Sequence, residues 1–306
     1  MPNKNPKQIF EAIEAADPIV IVAHVNPDPD ATGSQLGLKY AILDQYPNKT
    51  VLTMGKGPGF DEVSEETLSK ALVIITDTSN SARVDDSRFK SGQKIARFDH
   101  HVRVEDFGDL DYVDDLAAAA CQVEALLMKE EGWTISAQAA QHLMNGLYAD
   151  TQRFSIPSVT NQTFEAAAWL ASQGADPRAT CEYLYTSTME EYRYVTKVRE
   201  RAMRKDNFLF SVMSEADYLS TGLSYEEAKN FVNCLGNIGG IEMWALFTQD
   251  GEGTYAASLR SRLIPIVDIA QKFGGGGHQC ASGIKKLTAT QVHELIDSLA
   301  ALSKSE

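Results

Sequence analysis

The sequence predicts an α/β protein in which a parallel-sheet domain is joined by a helical linker to a smaller α/β domain. In the first half, short apolar runs alternate with stretches of helical composition, the pattern of a parallel sheet covered by helices. The alternation resumes after residue 206, and 306 residues are too many for one small core. We therefore expect domains at residues 1–185 and 207–306, with the linker at 186–206.

The elements of the first domain follow from the length and composition of each segment. Short continuous apolar runs predict buried strands, and longer segments rich in alanine and leucine predict helices. The predicted strands are residues 18–23, 49–54, 71–76 and 94–98. The predicted helices are residues 34–46, 116–131, 137–148 and 162–172, the last closed by Gly174.

The second domain is read in the same way. Residues 186–206 are charged and lack turn residues, so they predict the helical linker. The strands expected after it are residues 208–213, 241–248, 254–262 and 280–285. The helices expected after it are residues 225–235, 267–273 and 290–302.

The bulk composition disfavours several classes of protein. A net charge of −14 argues against long nucleic acid as a partner, because gripping many phosphates requires a basic surface. The amino end lacks the apolar core of an export signal, and no apolar run is long enough to span a bilayer. The four cysteines form no C-x-x-C pair, which fits a reducing compartment. We expect a cytoplasmic protein that binds neither membranes nor long nucleic acid.

Metal-capable side chains follow three of the predicted strands and one predicted helix. These side chains are His24, Asp28, Asp30, Asp77, Asp99, His100, His101 and Asp150. Ligands of parallel sheets bind outside the carboxyl ends of the strands, so the side chains are expected to meet there. Carboxylates gathered in one crevice repel each other unless a cation offsets the repulsion. Oxygen ligands with a minority of imidazoles favour manganese or magnesium.

Local sequence sets the shape expected for the first of these segments. Pro27 and Pro29 are expected to stiffen the loop and keep it out of a helix. The helix would then begin at Gly33 and Ser34, with its free N–H groups facing the crevice.

Each of these residues also has an ordinary explanation when taken singly. Asp77 is compatible with a turn or cap residue, and His100 and His101 with a buried hydrogen-bonded pair. Asp150 is compatible with a solvated charge at a helix end. Because all of them fall at element ends in one domain, a shared metal site explains them better than independent ordinary roles.

The second domain carries two patterns suited to phosphate. Residues 274–277 are four glycines followed by His278, and glycines let backbone N–H groups approach a phosphate closely. Alternation along residues 254–262 places Ser258, Arg260 and Arg262 on one face. Taken alone, the glycines are compatible with a flexible loop or helix cap, and the arginines with a solvated strand face. The candidate substrate contacts are Arg260, Arg262, Gly275, Gly276 and His278.

The motifs, taken in order, resemble those of the DHH phosphoesterases. They read AHVNPDPDATGS at 23–34, DTSN at 77–80, DHH at 99–101 and YADTQRF at 148–154. The second domain, with SLRSR at 258–262 and FGGGGHQCASG at 273–283, resembles the associated DHHA1 domain. The resemblance is strongest to the NrnA-type branch of bacterial nanoRNases and pAp phosphatases. The chain departs from the family at Pro29 and Gln152, where glycine is common.

The resemblance implies an active site in the cleft between the domains that holds two Mn²⁺ ions, with Mg²⁺ or Co²⁺ as alternatives. It implies that His24, Asp28 and Asp77 hold one ion. It implies that Asp30, Asp77, His100 and Asp150 hold the other, so that Asp77 bridges them. Asp99 would orient His100 through the second ring nitrogen, and His101 would face the scissile phosphate. A hydroxide shared by the metals would attack the phosphorus.

The implied activity is hydrolysis of phosphate esters in short oligoribonucleotides, linear dinucleotides or 3′-phosphoadenosine 5′-phosphate. Arg260 and His278 would be the main nucleotide contacts of the second domain. A cyclic dinucleotide phosphodiesterase and an inorganic pyrophosphatase are alternatives with the same site. A non-catalytic nucleotide-binding regulator is an alternative of another class. The sequence leaves a homodimer open.

Overall fold

The computed structural model describes residues 5–56 and 59–304, and the chain divides into two units at Thr186 and Ser187. The first unit contains a five-stranded sheet in the order β2-β1-β3-β4-β5, with every neighbouring pair parallel. Its strands are β1 (Ile19–Val22), β2 (Val51–Met54), β3 (Leu72–Thr76), β4 (Lys94–Asp99) and β5 (Leu110–Val113). The expectation of a parallel sheet is confirmed. Because β1, β3 and β4 are neighbours, their carboxyl ends lie side by side at one edge.

Helices cover the sheet of the first unit, and the core is formed where they pack on it. They are α1 (Pro6–Ala15), α2 (Pro29–Gln45), α3 (Glu65–Lys70), α4 (Ala120–Glu130), α5 (Ala137–Asp150), α6 (Asn161–Ser172) and α7 (Pro177–Tyr185). Strands β1 and β3 are buried along their whole length, as their continuous apolar runs predict. Within residues 5–56 and 59–304, no helix is long and apolar enough to cross a membrane.

The start of α2 corrects one expectation. The helix begins at Pro29 and not at Gly33, so Asp30 lies in its first turn. Asp28 is the N-cap, and its Oδ1 accepts hydrogen bonds from the backbone N–H groups of Asp30 and Ala31, both at 3.0 Å. Proline suits the first helical position because the N–H that it lacks would have no partner there.

Glycines allow α5 to approach α2 and α4 closely. A Cβ on Gly33 would lie 2.6 Å from the carbonyl oxygen of His142, and one on Gly146 would lie 2.8 Å from Asp30 Oδ1. Such contacts are too short for real atoms, so any larger residue would force the helices apart. The close approach places Asp30 beside the end of α5, which carries Asp150.

The second unit contains a six-stranded mixed sheet in the order β10-β11-β9-β8-β7-β6, in which only β7 and β8 are parallel. Its strands are β6 (Met203–Lys205), β7 (Phe208–Met213), β8 (Met243–Gln249), β9 (Tyr255–Ser261), β10 (Gly276–His278) and β11 (Ala281–Leu287). Its helices are α8 (Met189–Glu200), α9 (Glu215–Leu219), α10 (Tyr225–Ala228), α11 (Val267–Lys272) and α12 (Ala289–Ser303).

Two segments of the second unit differ from the helices expected for them. Residues 186–206 form α8 followed by β6, and Tyr194 and Val198 of α8 are buried in the core of this unit. The helix expected over residues 225–235 ends at Ala228 and is followed by a 3-10 segment, Phe231–Leu235. Asn230 separates the two, because its side-chain amide donates to the carbonyl of Glu226 at 2.8 Å and competes with the helical backbone for that acceptor.

The glycine run at residues 274–277 is partly a strand. Gly274 has a φ of +80° and follows α11, as expected of a helix-ending glycine. Gly276 and Gly277 then belong to β10, which pairs with β11. A Cβ on Gly275 would lie 2.5 Å from Ile284 Cγ1, so the backbone there lies directly against the neighbouring strand.

Candidate active site

The predicted ligands come together at the carboxyl edge of the first sheet. His24 follows β1, Asp77 follows β3, and His100 follows β4. Helices supply the others: Asp28 caps α2, Asp30 lies in its first turn, and Asp150 ends α5. Residues distant in sequence therefore meet because neighbouring parallel strands end at one edge.

Three of these side chains form what we call the His24 group: His24, Asp28 and Asp77. The Nε2 atom of His24 lies 3.6 Å from Asp28 Oδ2 and 3.4 Å from Asp77 Oδ2. One potential ligand atom from each residue lies within 4.8 Å of the other two. That spacing is suited to one metal ion.

A second set, the His100 group, consists of Asp30, His100 and Asp150. The Nε2 atom of His100 lies 3.8 Å from Asp30 Oδ2 and 3.4 Å from Asp150 Oδ2. It also lies 3.4 Å from Asp77 Oδ1. One carboxylate oxygen of Asp77 thus faces His24 and the other faces His100, which is the arrangement that a bridging ligand requires.

Asp77 is buried and has a strained backbone, although it lies in a loop. Its side chain is 2% exposed, and its φ of +48° lies in the left-handed region that non-glycine residues enter at a cost of about 1–3 kcal/mol. Its Oδ1 atom is buried and accepts no hydrogen bond from the described residues. Strain and an unsatisfied buried oxygen at one residue indicate a functional constraint.

The two imidazoles present the same nitrogen to the cluster. His24 Nδ1 lies 2.9 Å from the carbonyl oxygen of Val25, and His100 Nδ1 lies 3.3 Å from that of Ala117. A carbonyl accepts only, so each Nδ1 donates its proton there, and Nε2 is the nitrogen that a neutral ring offers to a cation. This is the usual orientation of a metal-ligating histidine.

The role expected for Asp99 needs correction. Its Oδ1 accepts a hydrogen bond from Nδ1 of His101 at 2.8 Å and from the backbone N–H of His100 at 2.9 Å. It does not touch the ring of His100, which the carbonyl of Ala117 orients instead. The reason is geometric: the backbone bends after β4 and brings the ring of His101 to the carboxylate of Asp99.

Asp30 has a second task that the sequence did not reveal. Its Oδ2 accepts the backbone N–H of Ala120 at 2.6 Å, and its Oδ1 accepts that of Cys121 at 3.1 Å. These are the first two residues of α4, whose N-cap Ala119 offers no side-chain acceptor. A carboxylate at a helix N-terminus is stabilised there, so Asp30 is fixed before any cation binds.

The pKa values show that the cluster carries excess negative charge. Burial, reinforced by Asp30, raises the pKa of Asp150 to about 8, and burial with Asp77 raises that of Asp30 to about 6. Burial alone would lower the pKa of the histidines, but contacts with the carboxylates outweigh it. The pKa of His24 rises to about 10 through Asp28 and Asp77, and that of His100 rises to about 10 through Asp77 and Asp30.

These observations fit divalent cations. Carboxylates that repel each other, imidazole Nε2 atoms directed at those carboxylates and a buried oxygen that accepts no hydrogen bond from the described residues all suit a cation between them. The donors are mainly oxygen with some nitrogen and no sulfur, which suits Mn²⁺ or Mg²⁺. Asp77, His100 and His101 also lie close enough together to hold a cation, so His101 is a further candidate metal ligand.

The turn after Asp150 is strained. Gln152, Arg153 and Phe154 have φ values of +46°, +60° and +61°. Contacts hold it in place: the guanidinium of Arg153 lies 4.5 Å from the ring centroid of Tyr185, and the ring of Phe154 lies 4.9 Å from that of Tyr148. The resemblance to the DHH phosphoesterases gave one signal of this turn, since it implies a glycine where Gln152 stands.

We expect Gln152→Gly to raise the free energy of unfolding by about 0.5–1 kcal/mol. Glycine removes about 1–2 kcal/mol of left-handed strain and adds about 0.5–1 kcal/mol of chain entropy to the unfolded state. Urea unfolding measures the change. Gln152→Ala keeps the Cβ and is the control, with no gain expected. A glycine variant less stable than the alanine variant would show that strain is not the dominant effect.

The candidate contacts of the second unit lie at one end of its sheet. In the strand register, His278 of β10 pairs with Ala281 of β11, which pairs with Arg260 of β9. Residues in one such row point to the same face, so Arg260 and His278 lie about 10 Å apart across Ala281. The next row on the same face, two residues along each strand, is Gly276, Gly283 and Ser258.

Arg262 is engaged differently. It follows the end of β9, and its Nε and Nη2 atoms donate to the carbonyls of Ile241 and Ile238 at 2.8 and 3.2 Å. Much of its guanidinium is therefore already used in holding the backbone. Arg260 donates only to the carbonyl of Leu259, at 2.8 Å, among the described residues.

A parallel α/β sheet with carboxylates and imidazoles gathered at its carboxyl edge is suited to hold divalent cations. The model of the DHH family N-terminal domain matches residues 18–147, and that of the DHHA1 domain matches residues 205–305. The chain belongs to the DHH family of phosphoesterases.

The chain is also similar to named relatives and to a solved structure. It is 32% identical to the bifunctional oligoribonuclease and PAP phosphatase NrnA of Bacillus subtilis (strain 168), over 97% of this chain and 98% of that protein. It is 32% identical to the probable enzyme of the same name from Streptococcus mutans, over 97% and 99%. An exopolyphosphatase-related protein from Bacteroides fragilis, 22% identical, superposes with a TM-score of 0.85 over 98% of this chain and 97% of that one, which shows the shared fold.

Proposed function

We propose that this enzyme hydrolyses phosphate esters in short oligoribonucleotides, linear dinucleotides and 3′-phosphoadenosine 5′-phosphate, with two Mn²⁺ ions bound. The observation that carries the proposal is Asp77, whose two oxygens face the His24 group and the His100 group. The names of the two 32%-identical relatives support the substrates. The four free cysteines fit action in the cytoplasm.

In this proposal, the His24 group would hold one ion and the His100 group the other, and Asp77 would give one oxygen to each. When bound, the cations supply Lewis acidity to the phosphate and lower the pKa of a water molecule. The side chains proposed as ligands are held in place by the protein itself. Asp28 and Asp30 accept hydrogen bonds from helix N-termini, and the two histidines donate to backbone carbonyls. Little rearrangement is therefore needed for binding.

His101 has the geometry of a group that acts on the substrate. Its Nδ1 is bound to Asp99 at 2.8 Å, and its side chain is 29% exposed, whereas Asp77 and Asp99 are almost fully buried. Its Nε2 is left to hydrogen-bond the scissile phosphate or to give a proton to the leaving oxygen. Asp99 accepts a hydrogen bond from Nδ1 and fixes the orientation of the ring.

We propose that Arg260 and His278 contact the nucleotide, with Gly275 and Gly276 giving its phosphate access to the backbone. Burial lowers the pKa of Arg260, and the described residues include no carboxylate paired with it. A half-buried guanidinium without a counterion is a strong site for an anion. Arg262 is a weaker candidate, because two of its nitrogens already donate to carbonyls.

Arg260→Ala is expected to lower kcat/KM by roughly 10–100-fold, mainly through KM. The reason is the loss of a charge-assisted hydrogen bond to phosphate, which contributes about 1.5–3 kcal/mol. Steady-state kinetics on a dinucleotide measures the effect. Arg262→Ala is the matched control. We expect it to lower the melting temperature, because Arg262 holds two backbone carbonyls, and to raise KM less than Arg260→Ala does. The reverse order of KM effects would exchange the roles of the two arginines.

The substrate is tested directly with a panel assayed with Mn²⁺. The panel contains 5′-labelled oligoribonucleotides from dinucleotide to decanucleotide, 3′-phosphoadenosine 5′-phosphate, cyclic di-AMP and pyrophosphate. We expect turnover to fall with chain length, because a chain with a net charge of −14 holds long RNA poorly. Exclusive cleavage of cyclic di-AMP or pyrophosphate would replace the proposed substrates. No turnover of any compound by folded, Mn²⁺-loaded protein would favour a regulator.

A further inference from the structure

A buried arginine lies beside the candidate metal site. Arg97 is on β4 just before Phe98 and Asp99, and its side chain is 0% exposed. In the sheet register it pairs with Ile75 of β3 and with Asp111 of β5. A buried guanidinium is unfavourable unless its charge is matched and its donors are satisfied. Its contacts therefore indicate what it does.

Asp111 supplies the opposite charge. The Nε and Nη2 atoms of Arg97 donate to Oδ1 and Oδ2 of Asp111 at 3.2 and 2.9 Å. The ring of Phe107 covers the guanidinium, with 4.4 Å between its centroid and Cζ. This two-point pair already neutralises the buried charge, so the remaining contacts of Arg97 need another explanation.

Those contacts join the two segments that carry the site. Nη1 donates to the carbonyls of Thr78 and Ser79 at 3.4 and 3.3 Å, directly after Asp77. Nη2 also donates to the carbonyl of Glu105 at 2.9 Å, shortly after the DHH triplet. One rigid planar group thus spans the segment that follows β3 and the segment that follows β4.

Asp99 lies beside the guanidinium of Arg97. Its Oδ2 is buried and accepts no hydrogen bond from the described part of the chain, and Nη1 of Arg97 lies 3.8 Å away. Its other oxygen, Oδ1, accepts from Nδ1 of His101 at 2.8 Å. The carboxylate is therefore placed between the guanidinium on one side and the imidazole on the other.

We propose that Arg97 is a positioning residue: its guanidinium fixes the segment after Asp77 and the Asp99–His101 pair in one arrangement, so that Asp77 and His101 keep the relative positions that hydrolysis requires. The inference rests on the proposed hydrolysis for its rate measurement. A lysine at this position would keep the charge but has a single nitrogen, which cannot serve Asp111 and both segments at once.

Two variants separate this role from simple stabilisation. Arg97→Lys keeps the positive charge and loses the planar group, while Asp111→Asn keeps the planar group and removes its counterion. We expect Arg97→Lys to lower kcat by about 10–100-fold with KM nearly unchanged. We expect Asp111→Asn to lower the melting temperature and leave kcat close to that of the parent. A purely structural role predicts similar kcat in both variants.

The rate is measured on bis(p-nitrophenyl) phosphate with Mn²⁺, so an error in the natural substrate leaves the test intact. A second readout does not depend on turnover: in Mg²⁺-saturated ¹⁵N-labelled protein, the downfield Nδ1 proton of His101 reports its hydrogen bond to Asp99. We expect this signal to be lost in Arg97→Lys and kept in Asp111→Asn. Should the lysine variant not fold, Arg97→Gln combined with Asp111→Asn supplies a neutral pair with the same expected losses. An unchanged kcat together with a retained His101 signal in the Arg97 variant would overturn the proposal.

Discussion

Asp77→Asn is expected to lower kcat/KM at least about 1,000-fold while the chain stays folded. Both oxygens of Asp77 are placed as ligands, whereas asparagine offers one oxygen and an amide group that cannot bind a cation. The Lewis-acid stabilisation lost is worth several kcal/mol, and about 4 kcal/mol corresponds to that factor. Kinetics on a generic phosphodiester with Mn²⁺ measures it.

The thermal behaviour of the same variant separates loss of metal from loss of fold. Mn²⁺ should raise the melting temperature of the parent, since a ligand that binds only the folded state stabilises it by mass action. Asp77→Asn should show little or no rise. Asp109→Asn is the control, because Asp109 accepts the backbone N–H of Ile95 at 2.8 Å just before β5, at the opposite edge of the sheet. A near-normal rate in Asp77→Asn contradicts the bridging role.

His101→Gln is expected to lower kcat by about 100–10,000-fold, the range for losing a positioned acid or hydrogen-bond donor. The affinity for Mn²⁺ should be nearly unchanged, because Nδ1 of His101 is committed to Asp99 and its contact with Asp77 Oδ1 is longer, at 3.6 Å. Turnover and equilibrium dialysis with Mn²⁺ measure the two quantities on the same preparation.

Two companion variants distinguish the loss of a metal ligand from the loss of a group that acts on the substrate. His100→Gln removes a proposed ligand and should lower both Mn²⁺ affinity and turnover. His293→Gln changes an exposed residue of α12 and should lower neither. If His101→Gln loses Mn²⁺ to the same extent as His100→Gln, then His101 is a ligand, as the grouping of Asp77, His100 and His101 allows.

The sequence predicted the meeting of the three ligands that follow strands well, because that meeting depends on the sheet alone. Apolar runs identify β1, β3 and β4, and a parallel sheet puts the residues that follow them at one edge. His24, Asp77 and His100 needed no further information. Asp150 was found because it lies at the end of a helix whose composition is clear.

What the sequence missed depends on contacts between elements. The Arg97–Asp111 pair requires the register of β4 against β5, and β5 was not among the predicted strands. Its four residues, LDYV, lack a continuous apolar run, since Asp111 replaces an apolar side chain at a buried position. The link from Asp99 to His101 likewise depends on backbone geometry after β4 that residue types do not encode.

The central claim is that one chain holds two cations joined by Asp77. Crystals grown with Mn²⁺ and measured on both sides of the manganese absorption edge test it most directly. We expect two anomalous peaks, one beside the His24 group and one beside the His100 group, each within about 2.0–2.3 Å of an oxygen of Asp77. A single peak, or two peaks without Asp77 between them, would contradict it.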